Sequence, residues 1–227
     1  MILDPDNKYI QAIHSHAPLT GATLLEIGCG HGRMTSEMAK YAIKIVATDL
    51  NFEVLEQAKK NVTAENVEFL YTPDGTPNLP ARSFDIIIYT LSLHHIPIDN
   101  MVDNLRHSGN LLNDNGRIIV VEPGNGGSFL EVKKRFGAGS GDESLEKEAA
   151  VRAMQSLDGW LLSPTHHFYV DFQFTDEADF IANKLPRYKD FPADEVLKLR
   201  EFLHQHTTNQ GIVLTSERCL SLLTRKL

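Results

Sequence analysis

Leu24-Leu25-Glu26-Ile27-Gly28-Cys29-Gly30-His31-Gly32-Arg33 is the stretch on which the fold of this chain turns. An apolar run carrying one acid, then alternating glycines, then a helical pattern reads as a buried strand, a tight turn and a helix start. Glycine suits such a turn because it takes positive φ freely and lets a ligand lie against bare backbone. The helix that follows directs unpaired N–H groups and a positive dipole end into the turn. The loop is therefore built for a nucleotide-like ligand.

Outward from this loop, apolar runs and helical patterns alternate. Thr23 to Ile27 is the first strand, and Met34, Met38, Ala39 and Ala42 follow at helical spacing. Ile43 to Thr48 is β-rich and ends at Asp49, after which Asn51 can cap a helix carrying Val54, Leu55, Ala58 and Val62. Val67 to Leu70 is a third strand, leading to Pro73-Asp74-Gly75. Phe84-Asp85-Ile86-Ile87-Ile88-Tyr89 is nearly continuous apolar sequence, as in a strand covered on both faces. Asp99 starts another helix, Asn113-Asp114-Asn115-Gly116 reads as a turn, and Arg117 to Val121 is a fifth strand. Before the loop, Asp4 and Pro5 are placed to start a short helix that ends by Pro18.

Alternation of this kind gives a parallel, doubly wound sheet with ligands at the carboxyl ends of its strands, where strand order reverses. Glu26 and the glycines, Asp49, Asp74 and Thr90 each follow or close a different strand, so four loops converge on one edge. Asp49 lies 49 − 28 = 21 residues past Gly28, close to the spacing at which an acid accepts from a ribose diol. Binding of a nicotinamide dinucleotide calls for G-x-G-x-x-G, whose last position here is Arg33, too large for close helix–strand packing.

The motif present is Glu-x-Gly-x-Gly-x-Gly. With LLEIGCGHGR, VATDLN, TPDG, LPARSFDIIIYTLSLHHI and LLNDNGRIIVVEP in order from about Leu24 to Pro123, the chain resembles the class I S-adenosylmethionine-dependent methyltransferases. The resemblance implies an α/β Rossmann-like fold: a seven-stranded, mostly parallel sheet, last strand antiparallel, with a helical cap in the C-terminal part. It also implies roles by position. Gly28, Gly30 and the backbone at His31 would pass beside the methionine part of S-adenosylmethionine, and Glu26 would brace that loop and the amino group. Asp49 would hold both ribose hydroxyls, with Leu50 flanking the adenine. Asp74 would accept from the adenine amino group beside Gly75, and Thr90 would lie near the methionine end. His94 and His95 are candidates for a general base.

Past Gly124 the resemblance fades. One domain is expected over residues 1–227, with a core at 20–123, an acceptor-pocket roof within 124–217 and a last strand at about 218–225. In the roof a helix is expected from about Asp142 to Met154, a strand from His166 to Phe174, and helices at Asp176 to Leu185 and Ala193 to His206. Gly137 to Gly141 reads as flexible, and Phe129, Trp160, His166, His167, Tyr169 and Tyr188 are candidate pocket residues.

Composition limits the partners. Twenty-two basic against thirty acidic residues give a net charge of −8 without a basic stripe, which argues against nucleic acid and anionic membranes. No signal segment and no bilayer-length apolar run is seen, so a cytoplasmic location is expected. Cys29 and Cys219 fit free thiols, and no Cys/His spacing for a metal appears. A small-molecule acceptor, methylated by direct displacement, is the expected partner, and oligomeric state is left open. The alternatives are a cofactor-binding regulatory or scaffold protein without catalysis and, less favoured, aminopropyl transfer on the same fold.

Overall fold

The computed structural model describes residues 1–226; of the domain expected over residues 1–227, Leu227 alone lies outside the described residues. β1 (Ile2–Leu3) and α1 (Lys8–His16) precede β2 (Thr23–Ile27). Then come α2 (Arg33–Met38), β3 (Lys44–Asp49), α3 (Phe52–Asn61), β4 (Val67–Tyr71), β5 (Phe84–Thr90), α4 (Met101–Leu111) and β6 (Leu112–Pro123). The remainder forms α5 (Ser128–Phe136), α6 (Ser144–Gln155), β7 (Trp160–Leu162), β8 (His166–Phe174), α7 (Glu177–Lys184), α8 (Ala193–Gln205), β9 (Thr207–Thr208) and β10 (Gly211–Arg225). The seven strands of five or more residues among the described residues agree with the expected seven, and β1, β7 and β9 are short additions.

Contacts divide the chain into two units. The parallel unit takes Ile10–Glu122, Ser144–His166 and residues from Cys219 onward; the antiparallel unit takes Met1–Tyr9, Pro123–Glu143 and His167–Arg218.

In the parallel unit the strand order is β4-β3-β2-β5-β6, every neighbouring pair parallel. The chain builds outward from β2 to β4 and then returns to the other side of β2, so strand order reverses between β2 and β5. That is the switch point at which an open sheet of this kind leaves room for a ligand. β5 shows why the strands hold: Ile86, Ile87, Ile88 and Tyr89 are all buried, each apolar side chain contributing about 1.5–3 kcal/mol. Residues of α6 complete this core. Ala149, Ala150, Ala153 and Met154 join Leu105, Leu111, Ile118 and Leu223 in one buried cluster.

In the antiparallel unit β1 pairs with β8 and β9 with β10, both antiparallel. Residues 223–225 of β10 pair antiparallel with β7 in the parallel unit. Phe174 and Phe180 meet edge to face at 5.1 Å between ring centroids, and both are fully buried.

Several boundaries differ from the sequence reading. Asp4 does cap α1, accepting from the backbone N–H of Lys8 (2.8 Å) and Tyr9 (3.0 Å), but the helix starts at Lys8. Asp4 and Asn7 have positive φ, so Pro5 lies in a tight turn outside the helix. The Asn113–Gly116 turn lies inside β6: Phe84 faces Leu112 while Ile86 faces Arg117, so these residues bulge from the ladder. The last strand begins at Gly211, seven residues earlier than expected, because Ile212, Leu214 and Ser216 alternate inward through a polar sequence. Gly137, read as the start of a flexible stretch, terminates α5 in a left-handed conformation, with Lys133, Lys134 and Arg135 in the helix's last turn. Among the described residues no helix is long and apolar enough to cross a membrane.

Candidate functional site

The parallel register brings the strand ends to one edge. Ile27 pairs with Thr48, Asp49 with Tyr71 and Thr90 with Val121, so the loops that follow leave the sheet together. Gly28, Gly30 and Gly32 all have positive φ. Gly28 and Gly32 are filled positions: an added Cβ would meet Ser92 at 2.5 Å or Val62 at 2.7 Å. Gly30 differs, because nothing lies within 4 Å of where its Cβ would be. The same is true of Gly75, also at positive φ. These two positions open onto empty space beside bare backbone, as a bound nucleoside requires.

Asp49 joins the loops. Its Oδ2 accepts from the Gly30 N–H at 2.9 Å and its Oδ1 from the Asn51 N–H at 2.9 Å. Its carbonyl accepts from the Thr72 N–H at 3.0 Å, and Thr72 in turn accepts from the Gly75 N–H at 2.8 Å. Asp74 is exposed, its carboxylate accepting from the Thr76 N–H at 3.1 Å. Leu50 is exposed, and His31 is exposed with its carbonyl accepting from the Asn61 side chain at 2.9 Å. The structure thus brings Gly30, Asp49 and Gly75 into one hydrogen-bonded edge.

Glu26 lies beneath the loop, buried, with the Thr35 hydroxyl donating to Oε2 at 2.5 Å. Burial pushes its carboxyl up to about 7, only partly countered by the Thr35 hydrogen bond and by Arg33. A buried acid poised near neutrality suits a cation: a positive group arriving above it would draw off the proton. Burial likewise raises the thiol of Cys29, which keeps it an inert packed side chain.

Thr90 ends β5 with its hydroxyl buried and, among the described residues, without a hydrogen-bond partner. The next residue, Leu91, has φ 57°, a strained backbone for a leucine. An orphaned hydroxyl and local strain together at a strand end mark a place shaped for something other than the chain itself.

The histidines separate. His94 is buried in the turn Leu93–His95, where its Nδ1 bonds the Glu122 carboxylate and its backbone N–H donates to Glu122 Oε1 at 3.3 Å. His95 is exposed, its ring 4.0 Å from that of His94 between centroids. Four supporting residues escaped the sequence reading. Ser92 donates to the Ile27 carbonyl at 2.5 Å and fills the space over Gly28, and Thr72 ties two strand ends together. Asn104 donates to the Gly75 carbonyl at 3.0 Å while accepting from the Tyr89 hydroxyl at 2.6 Å. Glu122 alone carried a visible signal, an acid closing the fifth strand before Pro123. Trp160, expected in the pocket, packs against Gly109 and beneath the Arg225 guanidinium instead.

Residues 25–120 match the family described as "Methyltransferase domain". The ubiquinone biosynthesis O-methyltransferase of Nitrosococcus oceani is 30% identical over 113 residues, covering 48% of this chain and 47% of that protein. The chain thus spans about half the length of the curated relatives it matches. Among solved structures, the YcgJ protein from Bacillus subtilis is similar with a TM-score of 0.61 at 17% identity, covering 97% of this chain and 99% of the other. A SAM-dependent methyltransferase from Aquifex aeolicus gives 0.56 at 15% identity over 69% of this chain and 81% of its own.

Proposed function

We propose that this chain, whose residues 25–120 match the methyltransferase-domain family, uses S-adenosylmethionine to methylate a small-molecule acceptor by direct displacement. The observation that carries the reading is the edge formed by Gly30, Asp49 and Gly75, with two glycine positions open to a ligand and an acid between them. The residues fit the donor's chemistry: carboxylates for a diol and an amino group, bare backbone for a nucleoside, and a spare hydroxyl at Thr90.

When bound, S-adenosylmethionine supplies a methyl group already activated on a cationic sulfur, so the chain has mainly to position the reactants. In this reading Asp49 holds the ribose hydroxyls and Leu50 covers one face of the adenine. Asp74 accepts from the adenine amino group, with Gly75 alongside. Gly28, Gly30 and the His31 backbone border the methionine part, Glu26 braces the amino group from below, and Thr90 borders the methionine end. His94, committed through Nδ1 to Glu122, braces the turn after β5 and is not assigned the base. Residues 124–217, the segment past the resemblance, are proposed as the source of acceptor specificity. A net charge of −8 favours a free small molecule over nucleic acid, and two free cysteines fit a cytoplasmic location.

Incubation with S-adenosylmethionine and a panel of hydroxylated, amino and thiol acceptors tests this. Release of S-adenosylhomocysteine that depends on one acceptor class is the expected result. Tight binding of the donor without turnover across the panel overturns catalysis in favour of a cofactor-binding regulator. Methyl incorporation into RNA overturns the small-molecule assignment.

A further inference from the structure

Arg218, in β10 of the antiparallel unit, is 4% exposed. Its Nε donates to the Tyr9 hydroxyl, and Nη1 donates to Ser216 Oγ at 2.7 Å and to the Glu217 carbonyl at 2.8 Å. All these partners are neutral, and among the described residues Nη2 has none. Among the described residues no carboxylate lies within ion-pair distance of this guanidinium. The acids of the unit that could serve are engaged elsewhere. Asp4 caps α1 through both oxygens, Asp171 pairs with Lys8 Nζ at 2.8 Å, and Glu217 accepts from the Asn125 N–H at 2.8 Å and pairs with His167 at 2.9 Å.

A second cation shares the site. Lys184 Nζ lies 5.3 Å from the Phe172 ring centroid and 5.6 Å from that of Phe129, and Arg218 lies 5.7 Å from Phe172 and 5.5 Å from Tyr9. Nζ has no hydrogen bond or ion pair among the described residues, and burial holds the ammonium below its ordinary range. Phe129 and Phe172 stack in parallel, 4.4 Å between centroids and 8° between planes. Aromatic faces soften the burial of a cation but do not neutralise it. Buried charges in folded proteins are paired, and an apolar side chain would fill this space more favourably than an unpaired guanidinium.

We infer that Arg218 and Lys184, on the aromatic platform of Phe172 and Phe129, form a subsite for the carboxylate of a flat organic acid. Arginine is the side chain best shaped for a carboxylate, and Nη2 is the edge left open. Phe129, half-buried with one face on the buried Phe172, supplies apolar surface for the acid's body. Assigning that acid to the acceptor rests on the methyl-transfer reading. The other source of a carboxylate is the amino-acid end of the donor, and the experiment separates the two.

The full chain is titrated with 2-naphthoate and with uncharged 2-naphthamide, alongside S-adenosylhomocysteine, as wild type, Arg218→Gln, Arg218→Lys and Lys184→Met. Binding of naphthoate is expected about tenfold or more tighter than the amide, falling about tenfold in Lys184→Met and further in Arg218→Gln, with partial recovery in Arg218→Lys. S-adenosylhomocysteine affinity stays within about twofold in every variant if the two ligands use separate groups. Equal affinity for acid and amide, no binding of naphthoate, or naphthoate affinity unchanged in Lys184→Met overturns the subsite. Lys184→Met, at a half-buried position, decides the matter if Arg218→Gln does not fold. Parallel loss of S-adenosylhomocysteine and naphthoate binding overturns the acceptor assignment and gives the carboxylate to the donor. Naphthoate binding by a chain that ignores S-adenosylhomocysteine upholds the anion subsite and fails the methyl-transfer reading instead.

Discussion

The two units handle their charged groups in opposite ways. At the edge of the parallel unit, acids gather with few cations: among the described residues the Asp49 carboxylate accepts only from backbone N–H groups, and Glu26 is held neutral-leaning by burial. In the antiparallel unit two cations sit on aromatic rings with their carboxylates committed elsewhere. On the two proposals above, the first edge takes a cationic nucleoside and the second takes an organic anion, each inferred from the charged groups that the unit presents.

The contrast breaks most readily at glycine. Gly30 and Gly137 both have positive φ and both have empty space where a Cβ would go, but they lie in different units. Valine at either should cost about 1–2 kcal/mol of backbone strain. Gly30→Val should also abolish S-adenosylhomocysteine binding, a loss of more than about 100-fold by calorimetry, whereas Gly137→Val should leave it intact. Equal effects of the two would remove the glycine loop from the site.

Next in size is the pH response of Glu26. Its folded value of about 7 stands above the ordinary 4.5, so the folded state binds the extra proton between those limits. Stability contributed by this side chain is therefore lost as pH rises through that window. Relative to wild type, Glu26→Gln should gain up to about 3 kcal/mol in urea unfolding between pH 4 and pH 8. A pH-independent difference between the two proteins would contradict the burial argument.

Asp49→Ala should weaken S-adenosylhomocysteine binding by about 1–3 kcal/mol, since a charged acceptor to the diol is lost together with the brace on Gly30. Affinity that does not change would take Asp49 out of the site. The smallest effect, with opposite signs in two measurements, is expected at Thr90. Removing its orphaned hydroxyl in Thr90→Val should stabilise the unliganded chain by up to about 1 kcal/mol and weaken the ligand by a few fold. Loss of stability would mean the hydroxyl is satisfied within the chain.

The parallel unit was legible because each of its signals is local. Strand β2 coincides with the expected Thr23–Ile27, Asn51 caps α3 as read, and Asp49 closes its strand as read. The Asn113–Gly116 turn was sound as chemistry and misplaced as topology, since nothing in the residues tells a strand end from a bulge within one. In the antiparallel unit the signals are long-range. Arg218 reads as an ordinary strand residue until Tyr9, 209 positions away, is found against its Nε. Asn104 on α4 gave no hint that it holds Gly75 across 29 positions. Side chains whose meaning depends on a partner so distant in sequence carry no pattern that periodicity or spacing can read.

Titration of the full chain with S-adenosylhomocysteine in a calorimeter, in two buffers of different ionisation enthalpy near pH 7, tests the central claim most directly. The account expects saturable one-to-one binding in which the heat depends on the buffer, because the ligand's ammonium group drives the proton from Glu26. No heat and no thermal protection at any concentration would contradict it, and leave an α/β sheet edge with no nucleoside to hold.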